Sequence, residues 1–381
     1  MEFFEKAWPF VESSDGVFTQ KAAADKNRLR ILGLIARRRC RSQRQLALAT
    51  GLQPSTVSNI VRALKTQGLI REGAAIEAER AGPKETELDL VGDAFWCAGV
   101  SLDAVGHRII LVNASGHVLA QDSLSPGLPT NEILPRLEER IRACALQNDL
   151  EIERLGGIGV SVPGIVDTAS GTVLISRSLG LQGFRLRDLL AAALGCPVWV
   201  ERNVDCGAYA EHHAGVARDR DSFIYFLLRS DPKHPLAFGL SLVIGERIFH
   251  GCNSAAGEVD RNLLPEAVSG ERSGRVDGAA AADRFYEVLA NTLGGIINLL
   301  DIGCITLSTN DENLTTERFK RLEDAVANSL IPVPERRFDL LRSGMGIEGI
   351  LLGGALLAAH RTLAHRANQT ESIKKVHRVK Q

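Results

Sequence analysis

The sequence lacks long apolar stretches, paired cysteines and net charge, and each lack excludes something. No run reaches 18 apolar residues, so no segment can cross a bilayer as a helix. The seven cysteines (Cys40, Cys97, Cys144, Cys196, Cys206, Cys252, Cys304) are scattered, odd in number and never spaced as C-x-x-C. That pattern excludes a disulfide framework and a zinc knuckle and fits reduced, buried thiols. The opening Met1-Glu-Phe-Phe-Glu has no basic stretch of the kind that starts a signal peptide. Together these features predict a cytoplasmic protein. A hydrophobic content of 45% and a charged content of 24% exclude wholesale disorder, and 381 residues allow two or three domains.

The formal charge of −1 is a poor guide to partners, because the charge is unevenly spread. From Lys21 to Arg71 twelve basic residues face one acid, Asp25, a net of +11 that leaves −12 for the rest. A compact basic segment beside an acidic remainder is expected where one domain meets phosphate and the other does not.

Within that segment three helices can be read. Leu29, Leu32, Ile35 and Ala36 have helical spacing between Lys26 and Arg39. Ser42 is placed to cap a second helix, Gln43 to Thr50, that buries Leu46 and Ala49 and ends at Gly51. Pro54 suits the first turn of a third. On it Val57, Ile60, Val61 and Leu64 make one apolar stripe, and the other face carries Ser55, Asn59, Arg62 and Thr66, flanked by Thr56 and Ser58. Short polar groups with one Arg and one Asn can approach the floor of a major groove and bond base edges. This is a helix-turn-helix, with Arg28, Arg30 and Arg37 expected to contact phosphate. Short strands at 69–72 and 86–90 predict a wing, whose loop carries Arg80.

From Phe95 the pattern changes. Apolar runs at 96–102, 107–113 and 117–121 are joined by short turns. A helix at 131–145 and a buried strand Ile158-Gly-Val-Ser-Val-Pro-Gly164 follow. Strands at 198–201, 223–228 and 305–307 then alternate with helices at 206–214, 279–300, 316–329 and 347–365. Hairpins followed by αβ alternation indicate an α/β domain with a mixed sheet.

The winged head, three hairpin-linked strands, Gly159-Val-Ser-Val-Pro-Gly-Ile-Val-Asp167 and Ala256-Gly-Glu258 together resemble the ROK family (repressors, open reading frames, sugar kinases). Thr50-Gly-Leu-Gln-Pro-Ser-Thr-Val-Ser-Asn-Ile-Val61 looks like that family's repressor head. The resemblance runs from about Lys21 to Arg366. It implies an α/β fold: an N-terminal winged helix-turn-helix plus an actin-like (ribonuclease H-like), two-lobed ATPase-type domain. It also implies a dimer or tetramer, and transcription control by a small sugar-like effector. The segments expected are an N-terminal extension (1–20), the winged head (21–92), a sensing and dimerising domain (93–366) and a basic tail (367–381).

The departures from the family matter equally. Asn203 stands where its kinases carry the catalytic Asp, and an amide cannot take a proton from a sugar hydroxyl. A register shift could bring Asp205 there instead. Between Leu228 and Leu240 there is no G-x-G turn to cradle phosphate. The first hairpin reads Asp103-Ala-Val-Gly106, and Ser308-Thr309 replaces a Gly-Gly pair. No His follows Glu258 at the family's position and no cysteine cluster comes after it, so neither a metal nor a nucleotide cofactor is expected. The residues left for an effector are Pro163, Gly164, Ser178, Arg202, Asn203, Glu258 and Arg261. The two arginines suggest an anionic ligand, or structural ion pairs in a cleft that binds nothing. The expected partner of the head is a double-stranded DNA operator. The alternatives are a sugar kinase with an accessory head, and a protein whose basic head binds an acidic protein.

Overall fold

The computed structural model describes residues 20–76, 85–125, 130–231, 234–259 and 279–369. The chain forms two compact units. One runs to Val162 and takes in Thr168–Glu201 and everything from Gly354; the other comprises Pro163–Asp167 and Arg202–Gly353.

The first unit begins with helices α1 (Gln20–Ala36), α2 (Gln43–Thr50) and α3 (Pro54–Thr66), followed by the antiparallel wing strands β1 (Ile70–Ile76) and β2 (Glu85–Leu90). Leu29, Leu32, Ile35, Leu46, Val57, Val61, Leu64, Leu69 and Leu88 form the buried core of this head. Helix α1 stops at Ala36 rather than continuing to Arg39, and Arg38 takes a left-handed φ of 53°. The Arg39 and Cys40 N–H groups both donate to the Leu34 carbonyl, at 3.0 and 3.3 Å, and close the helix through that left-handed residue. On α2 the buried partner of Leu46 is Thr50, not Ala49, which is exposed. Thr50 tolerates burial because its hydroxyl donates to the Leu46 carbonyl at 2.6 Å.

Next come β3 (Trp96–Ser101), β4 (His107–Asn113), β5 (Val118–Leu124), α4 (Thr130–Gln147) and β6 (Leu155–Val162). After the short β7 (Ile165–Asp167), which belongs to the second unit, follow the antiparallel pair β8 (Thr172–Ser176) and β9 (Leu181–Phe184), α5 (Leu186–Leu194) and β10 (Val198–Arg202), whose last residue belongs to the second unit. The sheet order is β10-β6-β3-β4-β5, with β3 antiparallel to β4 and parallel to β6. Gly99 and Gly159 are register partners on β3 and β6. A Cβ on Gly159 would collide with the Gly354 carbonyl, and one on Gly99 with Ala355. These two glycines let the last helix lie directly on the sheet.

In the second unit are α6 (Asn203–Ala214), β11 (Phe223–Asp231), β12 (His234–Ile244), β13 (Arg247–Ile248), α7 (Ala279–Leu300), β14 (Cys304–Thr309), α8 (Thr316–Asn328) and β15 (Asp339–Arg342). Helix α9 (Glu348–Asn368) starts in this unit and ends in the first. The sheet order is β13-β12-β11-β14-β15. Alternate residues of β11 feed two cores: Ile224, Phe226 and Leu228 pack with Leu289, Leu293 and Leu322, whereas Phe223, Tyr225 and Leu227 pack with Val204 and Ala208 of α6. Burial on both faces explains why this strand reads as a continuous apolar run. The stretch after Leu228 that lacks a G-x-G turn continues β11 and pairs with β12, Arg229 opposite Ala237.

Candidate functional site

The head is built by local signals. The Ser42 hydroxyl accepts the Gln45 N–H at 3.3 Å and caps α2, and Gly51 ends it at φ 70°, donating its N–H to Ala47. Pro54 opens α3. Val57, Val61 and Leu64 are buried and Ile60 is half-buried. This fixes the opposite face outward: Ser55, Asn59, Arg62 and Thr66 are exposed, Thr56 and Ser58 half-buried. Thr66 folds its hydroxyl back onto the Arg62 carbonyl at 3.0 Å. Arg62 forms no ion pair among the described residues.

The three arginines expected on phosphate are turned inward. Arg37 is 9% exposed and lies beside His360. Arg30 donates to the Thr50 and Ala49 carbonyls at 3.0 and 3.1 Å, satisfying the C-terminal end of α2. Arg28 bonds Asp25 at 3.3 Å and the Ala367 carbonyl at 3.1 Å, and Gln67, just past α3, donates to that same carbonyl at 3.1 Å. Burial and carbonyl partners, rather than charge, decide what these side chains touch. Arg80 lies outside the described residues. Among the described residues of the head the exposed cations are Arg38, Arg41, Arg44, Arg62, Lys65 and Arg71. Of these, sequence reasoning singled out only Arg62, since a charge count carries no direction.

Three of those cations meet wing carboxylates. Arg41 pairs with Glu87, Arg44 with Glu85 at 3.5 Å and Lys65 with Glu72 at 2.7 Å. The Leu88 N–H donates to the Arg41 carbonyl at 2.8 Å, which seats Arg41 against β2.

In the second unit Arg202 is fully buried and clasps Asp205, Nε to Oδ2 at 2.6 Å and Nη2 to Oδ1 at 2.9 Å. Its Nη1 donates to the Ala256 carbonyl at 2.6 Å and reaches Glu258 at 3.5 Å. The guanidinium is therefore occupied within the protein by Asp205, the Ala256 carbonyl and Glu258. Asp205 is equally buried and held at both oxygens, so it is not placed as a free general base. Asn203 uses its side-chain oxygen to accept the Val204 N–H at 2.9 Å. His250, unremarked in the sequence, stands 3.8 Å from Asp205. Glu258 is 51% exposed, and Gly164 turns the chain at φ 122° beside Pro163. In the first unit Ser178 lies exposed between β8 and β9. Arg261 lies outside the described residues.

The turns that resemblance assigns to nucleotide phosphates use their own backbone donors. In the first hairpin the Val105 N–H goes to Asp103 at 3.1 Å and the Asp103 N–H to Nδ1 of His107 at 3.3 Å. Burial lowers the pKa of His107, in keeping with a ring nitrogen that accepts. After β14 the Asp311 N–H goes to the Thr309 hydroxyl at 2.9 Å, and Asn310 bridges both backbone groups of Ser230 at 2.9 and 2.8 Å. A phosphate-cradling loop needs N–H groups that point outward unpaired.

A winged helix joined to an actin-like, sugar-kinase-type fold defines the class of this protein. Residues 25–81 match the MarR family model and residues 97–270 the ROK family model. The two matched stretches are consecutive and fall on the winged head and on the α/β part of the chain. Over 244 residues it is 26% identical to the xylose repressor of Caldicellulosiruptor bescii, covering 62% of this chain and 58% of that one. Over 220 residues it is 26% identical to the DNA-binding transcriptional dual regulator NagC of Escherichia coli K12, covering 57% and 52%. The matched stretch thus spans little more than half of these relatives. The crystal structure of a ROK family transcriptional regulator, a homolog of the E. coli MLC protein, shares the fold with a TM-score of 0.70 at 18% identity, over 91% of this chain and 99% of that one. No helix among the described residues is long and apolar enough to cross a membrane.

Proposed function

We propose that this chain is a sequence-specific DNA-binding transcriptional regulator, a repressor, whose ROK domain has lost kinase chemistry and senses a small sugar. The observation that carries this is the α3 face, where exposed Ser55, Asn59 and Arg62 stand free of any neighbouring acid on the helix. A relative named as a xylose repressor and one named as a DNA-binding transcriptional dual regulator support the same reading. Loss of kinase activity is supported by Asn203 at the catalytic position and by Arg202 holding both oxygens of Asp205. With Arg202 occupied, a neutral sugar bonding Glu258 is favoured over an anionic effector. As a homodimer in the cytoplasm, the protein would set two recognition helices about one DNA turn apart on a palindrome.

Footprinting on DNA upstream of its own coding sequence tests the proposal, together with a thermal-shift screen of pentoses, hexoses and amino sugars. A sugar that raises the melting temperature is expected to alter operator affinity. ATP-dependent sugar phosphorylation that Asp205→Asn abolishes would establish the kinase alternative instead.

A further inference from the structure

The head's basic surface is partly neutralised from within. Three of its exposed cations, Arg41, Arg44 and Lys65, lie against three carboxylates of the wing, Glu87, Glu85 and Glu72. The contacts are local but not incidental. Glu85 and Glu87 are alternate residues of β2 and so share one side of the ribbon, while Leu88 and Leu90 on the other side are buried. The backbone bond from Leu88 N–H to the Arg41 carbonyl fixes the segment before α2 alongside that strand. Glu72 is on the paired strand, opposite Leu88 in the register, and meets Lys65 in the last turn of the recognition helix. The ion pairs thus link both sides of the wing ribbon to the segment before α2, to α2 and to α3, the helices that the DNA-binding reading sets at the duplex.

We propose that Glu72, Glu85 and Glu87 act as resident phosphate mimics. They occupy cations that would otherwise grip any DNA backbone, and so hold down binding without sequence preference. This rests on the DNA-binding reading above and concerns what sets its specificity. A carboxylate and a phosphate oxygen compete for the same ammonium and guanidinium donors. Solvent-exposed ion pairs are weak enough to be exchanged for phosphate when the base contacts of Asn59 and Arg62 hold the head in register. On a non-cognate duplex the same exchange lacks that support.

The test uses the full-length chain and the variant E72Q/E85Q/E87Q, with binding to a random-sequence duplex and to the footprinted operator measured across a salt series. Each cation released adds about 0.9 to the slope of log affinity against log salt. The triple variant is expected to steepen that slope by roughly 2 to 3 on random duplex, to bind it at least about tenfold more tightly at low salt, and to lose operator preference. The control variant E132Q/E138Q/E139Q removes the same charge from α4, outside the head, and is expected to leave the slope unchanged. An unchanged slope in the wing variant while the wild type still footprints its operator overturns the mimic proposal and leaves DNA binding standing. An equal change in the control also overturns it, because the effect would then be one of net charge. If wild type and wing variant bind neither duplex, both proposals fall. Circular dichroism of the variants, matching the wild type, shows that the head is folded in each arm.

Discussion

Arg202 and Asp205 are bound to each other through two parallel hydrogen bonds, with neither side chain open to solvent. The pair joins the end of β10 to the first turn of α6, where the carboxylate is also suited to the helix dipole. Removing either partner leaves an uncompensated buried charge. Arg202→Ala and Asp205→Ala are each expected to lower unfolding free energy by about 3–5 kcal/mol, read from denaturant titration. A loss below about 1 kcal/mol would mean that the pair opens to water in solution.

Asn59→Ala and Arg62→Ala are each expected to cost about 1–3 kcal/mol of discrimination between operator and random duplex. The double variant should lose its footprint while melting at the wild-type temperature, since both side chains are exposed. A normal footprint would show that α3 is not the recognition helix.

His360 is buried on the last helix beside Arg37, and burial pushes its pKa down to about 3 from 6.5. The native ring stays neutral where the unfolded chain takes up a proton. Stability from this group is therefore level above pH 6.5 and falls as pH drops from there towards 3, at about 1.4 kcal/mol per pH unit. His360→Gln cannot titrate. It should flatten the acid limb of the stability curve relative to wild type, measured as denaturation midpoints at a series of pH values. Parallel curves would show that the imidazole is charged or solvated in the native protein.

Two local devices set the turn of the helix-turn-helix. Ser42→Ala removes the cap of α2 and should cost about 0.5–2 kcal/mol. Gly51→Ala places a side chain in the left-handed region and should cost about 1–2 kcal/mol. Nothing packs near the Gly51 α-carbon, so Gly51→Asn should recover part of that loss. Thermal melts of the three variants decide this, and an Asn no better than Ala would locate the strain elsewhere.

The head was legible in the sequence because its signals are short-range. The stripe of Val57, Val61 and Leu64, the Ser42 cap and the Gly51 turn each act within a few residues. The paths of Arg28, Arg30 and Arg37 were not legible. Their partners are the Ala367 carbonyl, the end of α2 and the surroundings of His360, and none of these follows from a local pattern of charge. Likewise the stretch from Leu228 to Leu240 holds no G-x-G turn, and its place in β12 does not follow from its local pattern. Pairing with β11, from Phe223 opposite Val243 onward, sets that place. In the effector region the sequence singled out Arg202 by its charge. It could not say that Asp205, three residues on and across a strand–helix junction, would neutralise it.

One carbonyl, that of Ala367, receives donors from both Arg28 and Gln67, the latter 300 residues earlier in the chain. In time as well as space this is a late contact. The buried core of the head lies within residues 29–88, whereas the carbonyl that ties the end of α3 is supplied from Ala367. The tie at the end of α3 therefore cannot form until the chain has been made as far as Ala367, long after the residues of the head's own core.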